Sequence, residues 1–356
     1  MKNYRLRELK LELNRNCPLQ CIHCSSNGMP GAPEELGYSE IKNLLNEFVL
    51  LGGERVCISG GEPLCHPHFW DIIKSSVNLG IDTTIYSTGI TTTNNILTPI
   101  NDDLAKFISN NSIKFIFSIH GAAADTHDFI TQRKGSFDIT LESVAKLKRA
   151  EAIVEAHVVP TKVNINELPE LTRLLVSLGI KKVSWLRFVP QGRGETNKHI
   201  LSLSKKQLFG LVNLKKQLTL QYPDIQIRTG APFNILCPEK PAECSAGINV
   251  LTIRPDGYAT PCDAFKQFMF DDPFSNILNF PLSEVWRYSY LLNTVRRIQE
   301  LSPSSTCSNC SQYYRCRSGC IAQKAVAAGM LIDGKDPECL LKGVEVNSEQ
   351  LESVTV

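Results

Sequence analysis

The chain has 356 residues, 42% of them apolar and 21% charged, with a formal net charge of +2. That length allows a catalytic domain with a full core and a smaller appendage. A charge near zero with no clustered basic run excludes the electrostatic footprint of a nucleic-acid or anionic-membrane binder. Residues 1–10 lead into no apolar signal region, and no run approaches the roughly 20 apolar residues of a membrane span. A cytoplasmic protein is therefore expected, in which thirteen cysteines serve ligation or catalysis rather than disulfides.

From Glu8 to about Tyr222, short apolar or β-branched runs alternate with helical periods. Leu9–Leu13, Arg55–Ser59, Thr83–Ser87, Ile113–Ile119, Ile153–Val159 and Val183–Val189 read as strands. Between them, Ile41/Leu44/Leu45/Phe48 and Leu168/Leu171/Leu174/Leu175/Leu178 repeat at the spacing of a helix face packed on a sheet. Six such units with right-handed crossovers predict an α/β fold, either a partial (β/α) barrel or a doubly wound sheet. Its chemistry is expected in the loops at the carboxyl ends of the strands.

The first of those loops carries Cys17, Cys21 and Cys24, separated by three residues and then two, with no further cysteine until Cys57. A [4Fe–4S] cluster normally takes four thiolates, so this triad would leave one iron open to a non-protein ligand. The second strand ends in Ser59-Gly60-Gly61-Glu62-Pro63. Its glycines would let a ligand approach the backbone, and Glu62 with nearby carbonyls suits a cationic amino group. The plainer alternative is a strand-to-helix turn with Pro63 near the helix start.

Past Arg228 the apolar periods thin out, Pro and Gly become frequent, and eight cysteines follow: Cys237, Cys244, Cys262, Cys307, Cys310, Cys316, Cys320 and Cys339. Helices are expected to be sparse there, and inorganic cross-links to supply stability that burial does not. The Cys-x-x-Cys and Cys-x3-Cys spacings suit tetrahedral zinc as well as iron–sulfur centres. Arg254-Pro255-Asp256-Gly257 reads as a hairpin turn presenting Cys262. Cys57, within Val56-Cys57-Ile58, reads as a small buried core residue, and Cys65, His66 and His68 as neighbours without a shared ligand. Residues 346–356 read as a frayed tail.

Cys17-x-x-x-Cys21-x-x-Cys24 followed by Gly60-Gly61-Glu62-Pro63 resembles the radical S-adenosylmethionine enzymes. The resemblance implies a cluster on the triad whose open iron chelates S-adenosyl-L-methionine. It also implies cofactor contacts from Gly60, Gly61, Glu62, Pro63, Ser87 and Ser118, with Ser118 at the ribose. For either serine the alternative is a hydroxyl satisfied by nearby protein groups. Where many relatives carry an arginine after His127-Asp128, this chain has Thr131, so Arg133 is the substitute partner for the cofactor carboxylate. Arg187 and Arg193, after the sixth strand, are further candidates for a cofactor or substrate carboxylate.

The carboxyl-terminal cysteines, with twelve residues between Cys244 and Gly257, resemble the SPASM domain of peptide-modifying radical enzymes. That implies two auxiliary [4Fe–4S] clusters, one on Cys237, Cys244, Cys262 and Cys320, the other on Cys307, Cys310, Cys316 and Cys339, and three clusters in all. With four thiolates each, neither auxiliary cluster has an open iron, which favours electron transfer over ligation of a substrate thiolate. The expected layout is a partial (β/α)6 TIM-like barrel over about residues 1–225 and an iron–sulfur SPASM domain over about 235–345.

The implied function is the generation of a 5′-deoxyadenosyl radical that modifies a ribosomally made peptide, by a thioether or carbon–carbon cross-link or another oxidation at Cα or Cβ. Sulfatase maturation and modification of tetrapyrrole side chains are the alternatives within the family. A zinc-knuckle scaffold or nucleic-acid-binding protein is the alternative of another class, although Tyr313, Tyr314, Arg315 and Arg317 are the only basic and aromatic concentration near the cysteines. The expected partners are a peptide substrate and a low-potential electron donor such as flavodoxin or ferredoxin. No stretch ahead of the first strand is long enough for a leader-recognition domain, so a separate leader-recognition protein or another surface is expected. No catalytic acid or base is assigned.

Overall fold

The computed structural model describes residues 4–229, 244–301, 307–332 and 334–340. Strands β1 (Glu8–Glu12), β2 (Arg55–Ser59), β3 (Asp82–Ser87), β4 (Ile90–Thr93), β5 (Ile96–Pro99), β6 (Lys114–Ser118), β7 (Ile153–Val158), β8 (Lys182–Trp185), β9 (Gln226–Thr229), β10 (Val250–Ile253) and β11 (Ala259–Thr260) follow in chain order. Nine of them form one sheet, ordered β11-β10-β1-β2-β3-β6-β7-β8-β9. Every pairing is parallel except β10 with β11. This is the partial barrel, with β9 and β11 as its edges.

Period two decides the faces. In β1, Leu9 and Leu11 are fully buried beneath the helices, while Lys10 and Glu12 point the other way, into the barrel. The same alternation moves Cys57 out of the apolar core: Val56 and Ile58 are buried under the helices, whereas Cys57 is half-buried beside Glu8, Lys10 and Asp263. Its thiol is pushed up to about 12 by burial and by the Glu8 charge. The expected helix face of Ile41, Leu44, Leu45 and Phe48 is buried in helix Tyr38–Leu50.

Four features differ from the sequence expectation. Strands β4 and β5 form an extra hairpin turning at Asn94 and Asn95, both left-handed at φ 50° and 62°, as a tight hairpin turn requires. The sixth strand ends at Trp185 rather than Val189, because from Arg187 onward the chain leaves the sheet. Strand β10 pairs in register with β1, Glu8 opposite Val250, so the carboxyl-terminal region extends the barrel's own sheet. Helices Leu282–Tyr288 and Tyr290–Glu300 occupy a stretch expected to hold few. Leu291, Leu292, Val295 and Arg296 form the buried face of the second. Around it, Ala246, Tyr258, Phe265, Phe268 and Ile321 make a small core apart from the main one.

Candidate active site

The cysteine loop leaves β1 at the carboxyl end of the sheet and folds back on itself through bridges between Asn14 and Glu35 and between Asn16 and Met29. The Cys17 amide donates to Met29 O (3.1 Å) and that of Cys24 to Cys21 O (3.1 Å), which turns the triad into one compact bend. Cys17 is buried, and Cys21 and Cys24 are half-buried. Burial, together with the neighbouring thiols, pushes Cys17 well above its ordinary pKa and Cys21 up to about 12. Cys17 and Cys21 resist ionisation chiefly because they are buried, and a cationic inorganic centre would stabilise their thiolates.

The Gly60-Gly61-Glu62-Pro63 turn is pressed against this loop. The Gly61 amide donates to Asn14 O (2.6 Å) and the Glu62 amide to Asn16 O (2.8 Å). A Cβ on Gly61 would stand 2.5 Å from Arg15 O, and Gly60 has φ +151°, so both glycines are needed for backbone-on-backbone contact. Pro63 opens a single helical turn.

Glu62 is fully buried, and its carboxylate faces protein rather than an amine. It accepts from Ser87 Oγ (2.5 Å), Thr88 N (2.8 Å), Thr88 Oγ1 (2.6 Å) and Leu64 N (3.2 Å). Burial raises its pKa and the hydrogen bonds from Ser87 and Thr88 work against that rise. Ser87 is committed in the same way, donating to Glu62 and accepting from the Gly89 amide (2.8 Å). Glu62 and Ser87 together shape the loop after β3. Ser118 stands apart at the end of β6, half-buried, 3.0 Å from Nε2 of His157 on β7.

The expected arginines also turn to the protein. Arg193 donates from Nε to Cys21 O (3.0 Å) and from Nη2 to Gly28 O (2.6 Å). Arg187 pairs with Asp336 and Glu338. Arg133 is exposed and donates to Asn95 O (3.1 Å) at the hairpin tip, while Thr131 is buried and shares a hydrogen bond with Ser136 (2.7 Å).

Sequence reading missed a histidine cluster. His23 meets His120 edge-on at 4.4 Å, and His120 lies 6.0 Å from His127 and 6.1 Å from His157. Burial holds all four neutral, His23 down to about 3, His127 and His157 to about 4, and His120 well below its ordinary value. Position was the available signal: these four of the seven histidines lie in the first cysteine loop and at or after the ends of β6 and β7. Also at the barrel interior, Lys266 reaches Glu12 (2.7 Å), which accepts from Ser26 Oγ (2.6 Å), and Lys10 pairs with Asp263. Burial opposes ionisation of Asp263, yet Lys10 and Lys266 hold it down to about 2.

The carboxyl-terminal cysteines fall into two groups. Cys307, Cys310, Cys316 and Cys339 line one cavity of about 270 Å³, with Tyr313, Lys335 and Asp336 on its wall. Cys320 adds to the rise that burial gives Cys244 and Cys262, and Cys244 adds to that of Cys262, so the three stand together. Cys237 lies outside the described residues. Cys316 and Cys320 part to different groups because Arg317, Ser318 and Gly319 are all left-handed, at φ 53°, 63° and 81°. Cys65 is half-buried, and the two ring nitrogens of His66 meet Leu36 O (2.8 Å) and the His68 amide (3.1 Å). Among the described residues no three His, Cys, Asp or Glu side chains converge tightly enough for a single metal ion. The thiolates of a cubane bind different irons and stand further apart.

A parallel sheet with a cysteine triad at its carboxyl end and a cysteine-rich extension is the architecture of one enzyme class. The family model of the radical SAM superfamily matches residues 11–175, and that of the SPASM iron–sulfur cluster-binding domain matches residues 244–311. The chain carries a radical SAM domain and, carboxyl-terminal to it, a SPASM iron–sulfur cluster-binding domain. Along 93% of its length it is 28% identical to mycofactocin maturase MftC of Mycobacterium tuberculosis, covering 82% of that protein. It is 24% identical to the AdoMet-dependent heme synthase of Methanosarcina barkeri, covering 93% of this chain and 95% of that one. The crystal structure of Streptococcus suis SuiB bound to S-adenosylmethionine shares the fold, with TM-score 0.77 at 18% identity over 95% of this chain and 78% of SuiB.

Proposed function

We propose that this enzyme modifies a ribosomally made peptide, using three [4Fe–4S] clusters, one on Cys17, Cys21 and Cys24 and two on the carboxyl-terminal cysteines. The observation that carries the cluster reading is the single cavity shared by Cys307, Cys310, Cys316 and Cys339. The similarity to a maturase over nearly the whole chain supports the peptide. Bound at the triad, the cluster and S-adenosylmethionine would supply a 5′-deoxyadenosyl radical that takes a hydrogen atom from the substrate.

The chain's own groups do the positioning. Arg193 and the Gly60–Gly61 turn hold the triad bend, and Glu62 orders Ser87 and Thr88 beneath it. Ser118 remains the hydroxyl assigned to the ribose, oriented by His157. The neutral, buried histidines keep the mouth of the barrel apolar enough to restrict water around a reactive radical. Cys237 completes the first auxiliary set. The SPASM unit is assigned to about residues 235–345 and the barrel to about 1–225. A low-potential donor such as flavodoxin or ferredoxin supplies the electron in the cytoplasm. Among the described residues no helix is long and apolar enough to cross a membrane.

The test is anaerobic reconstitution with S-adenosylmethionine, dithionite and short peptides encoded beside the gene. About twelve irons per chain, 5′-deoxyadenosine and a peptide lighter by two hydrogens are expected. Stoichiometric zinc with little iron would sink the cluster reading. The match to a heme synthase supports a second substrate, a tetrapyrrole modified at its side chains. Turnover of a tetrapyrrole with no peptide product would select it.

A further inference from the structure

The segment that leaves β8 touches all three cysteine groups in turn. Arg187 is nearly buried and grips Asp336 at two points, Nη1 to Oδ2 (2.7 Å) and Nη2 to Oδ1 (2.5 Å), while its Nε donates to Glu338 (2.8 Å). Asp336 accepts from the Cys320 amide (2.8 Å) through its side chain and from the Cys339 amide (3.0 Å) through its carbonyl. It also lies on the wall of the four-cysteine cavity. The next residue, Phe188, accepts from Gln323 (3.0 Å) on helix Ile321–Ala328, which begins directly after Cys320.

Gln191, also buried, uses both ends of its amide. Its Nε2 donates to Ala264 O (2.7 Å), two residues past Cys262, and its Oε1 accepts from the Gln267 amide (2.9 Å). Gln267 in turn donates to Ser25 O (2.7 Å), beside Cys24. Gly192 has φ +55°, and a Cβ there would stand 2.7 Å from Cys24 O. Arg193 closes the run with its amide on Cys24 O (3.1 Å) and its guanidinium on Cys21 O.

We propose that residues 187–193 are a positioning spine that fixes the carboxyl-terminal cysteine groups against the amino-terminal one, so that the three sites keep set separations. The proposal rests on the reading that iron–sulfur clusters occupy those groups. Each contact alone is modest, but they are partly or fully buried and lie on one seven-residue run. Neither carboxyl-terminal group can then shift relative to the triad without breaking a hydrogen bond that no water replaces.

The experiment uses reconstituted holoenzyme and needs no substrate. Iron and sulfide are counted per chain, and the microwave-power saturation of the dithionite-reduced electron paramagnetic resonance signal is recorded. The component that changes on adding S-adenosylmethionine identifies the amino-terminal cluster. For Gln191→Ala, full iron content is expected with that component saturating at lower power, because loosened placement weakens its magnetic coupling to neighbouring clusters. Arg187→Lys keeps the buried charge and loses the two-point grip, so a smaller shift in the same direction is expected. Unchanged saturation in a fully loaded Gln191→Ala protein overturns the proposal. If that variant does not retain its clusters, Arg187→Lys decides alone, and wild-type saturation there overturns it. A wild-type protein without iron–sulfur centres fails at the first iron count, and that refutes the cluster reading rather than the spine.

Discussion

The amino-terminal and carboxyl-terminal cysteines are held by different physics. The triad sits on a loop whose bend is set by backbone bridges, by two glycines packed on its main chain and by Arg193, all anchored to the strand ends of the main core. The four-cysteine cavity is walled by the one-turn helix Tyr313–Cys316 and by a chain that runs through consecutive left-handed residues at Arg317 and Ser318. Such residues cost roughly 1–2 kcal/mol each when they are not glycine. The core beside that region is small. The triad is thus held by contacts of the main core, whereas the carboxyl-terminal thiols rest on little local packing, and bound metal is expected to contribute more to folding there.

The largest effect that would expose this difference is loss of a cavity ligand. Cys316→Ala should lose about four of about twelve irons and leave residues 307–340 sensitive to protease, with the barrel resistant. Cys21→Ala should lose as many irons without any new cleavage in its loop. Limited proteolysis with peptide mass mapping reads both, and equal sensitivity of the two regions would break the contrast.

Next comes the backbone contact that shapes the triad. Gly61→Ala places a methyl 2.5 Å from Arg15 O, so the loop and the β2 exit must separate. Destabilisation of about 1–3 kcal/mol is expected from this overpacking, with S-adenosylmethionine cleavage falling and the carboxyl-terminal irons kept. Denaturant melts and 5′-deoxyadenosine yield check the two halves.

Acid sharpens the comparison further, because no histidine follows His199. His127 is fully buried and held neutral down to about 4 by burial. Its unfolded counterpart takes a proton near 6.5, so between those values the unfolded chain binds more protons. Stability is therefore complete above that range and is lost as the pH falls toward 4. For His127 the loss by pH 5 is on the order of 2 kcal/mol. Urea midpoints at pH 7.5 and 5 should show it, and His127→Gln should flatten the slope.

The smallest effect is expected at Arg133, whose guanidinium only reaches Asn95 O from the surface. Arg133→Ala should change stability by less than about 0.5 kcal/mol and leave S-adenosylmethionine binding as it was. A large loss of binding by calorimetry would restore Arg133 as the carboxylate partner.

The strands and helices of the barrel were legible because their signals are local: period two, period 3.6, and cysteines with three and two residues between them. The same locality hid helix Tyr290–Glu300, whose Leu291, Leu292 and Val295 face is short and interrupted by charge. It also hid the pairing of β10 with β1, since nothing near Val250 says that its neighbour is Glu8. Arg187, Arg193 and Glu62 read from sequence as groups awaiting a ligand. Burial instead forces each to find a partner within the protein, on Asp336, on the Cys21 carbonyl and on the Ser87–Thr88 turn. By itself the sequence determined where the chain alternates, turns and places its thiols. Which groups, from 25 to 172 residues apart, would satisfy one another was decided only by packing, because a buried charge or amide must be paired and the fold alone chooses what lies within reach.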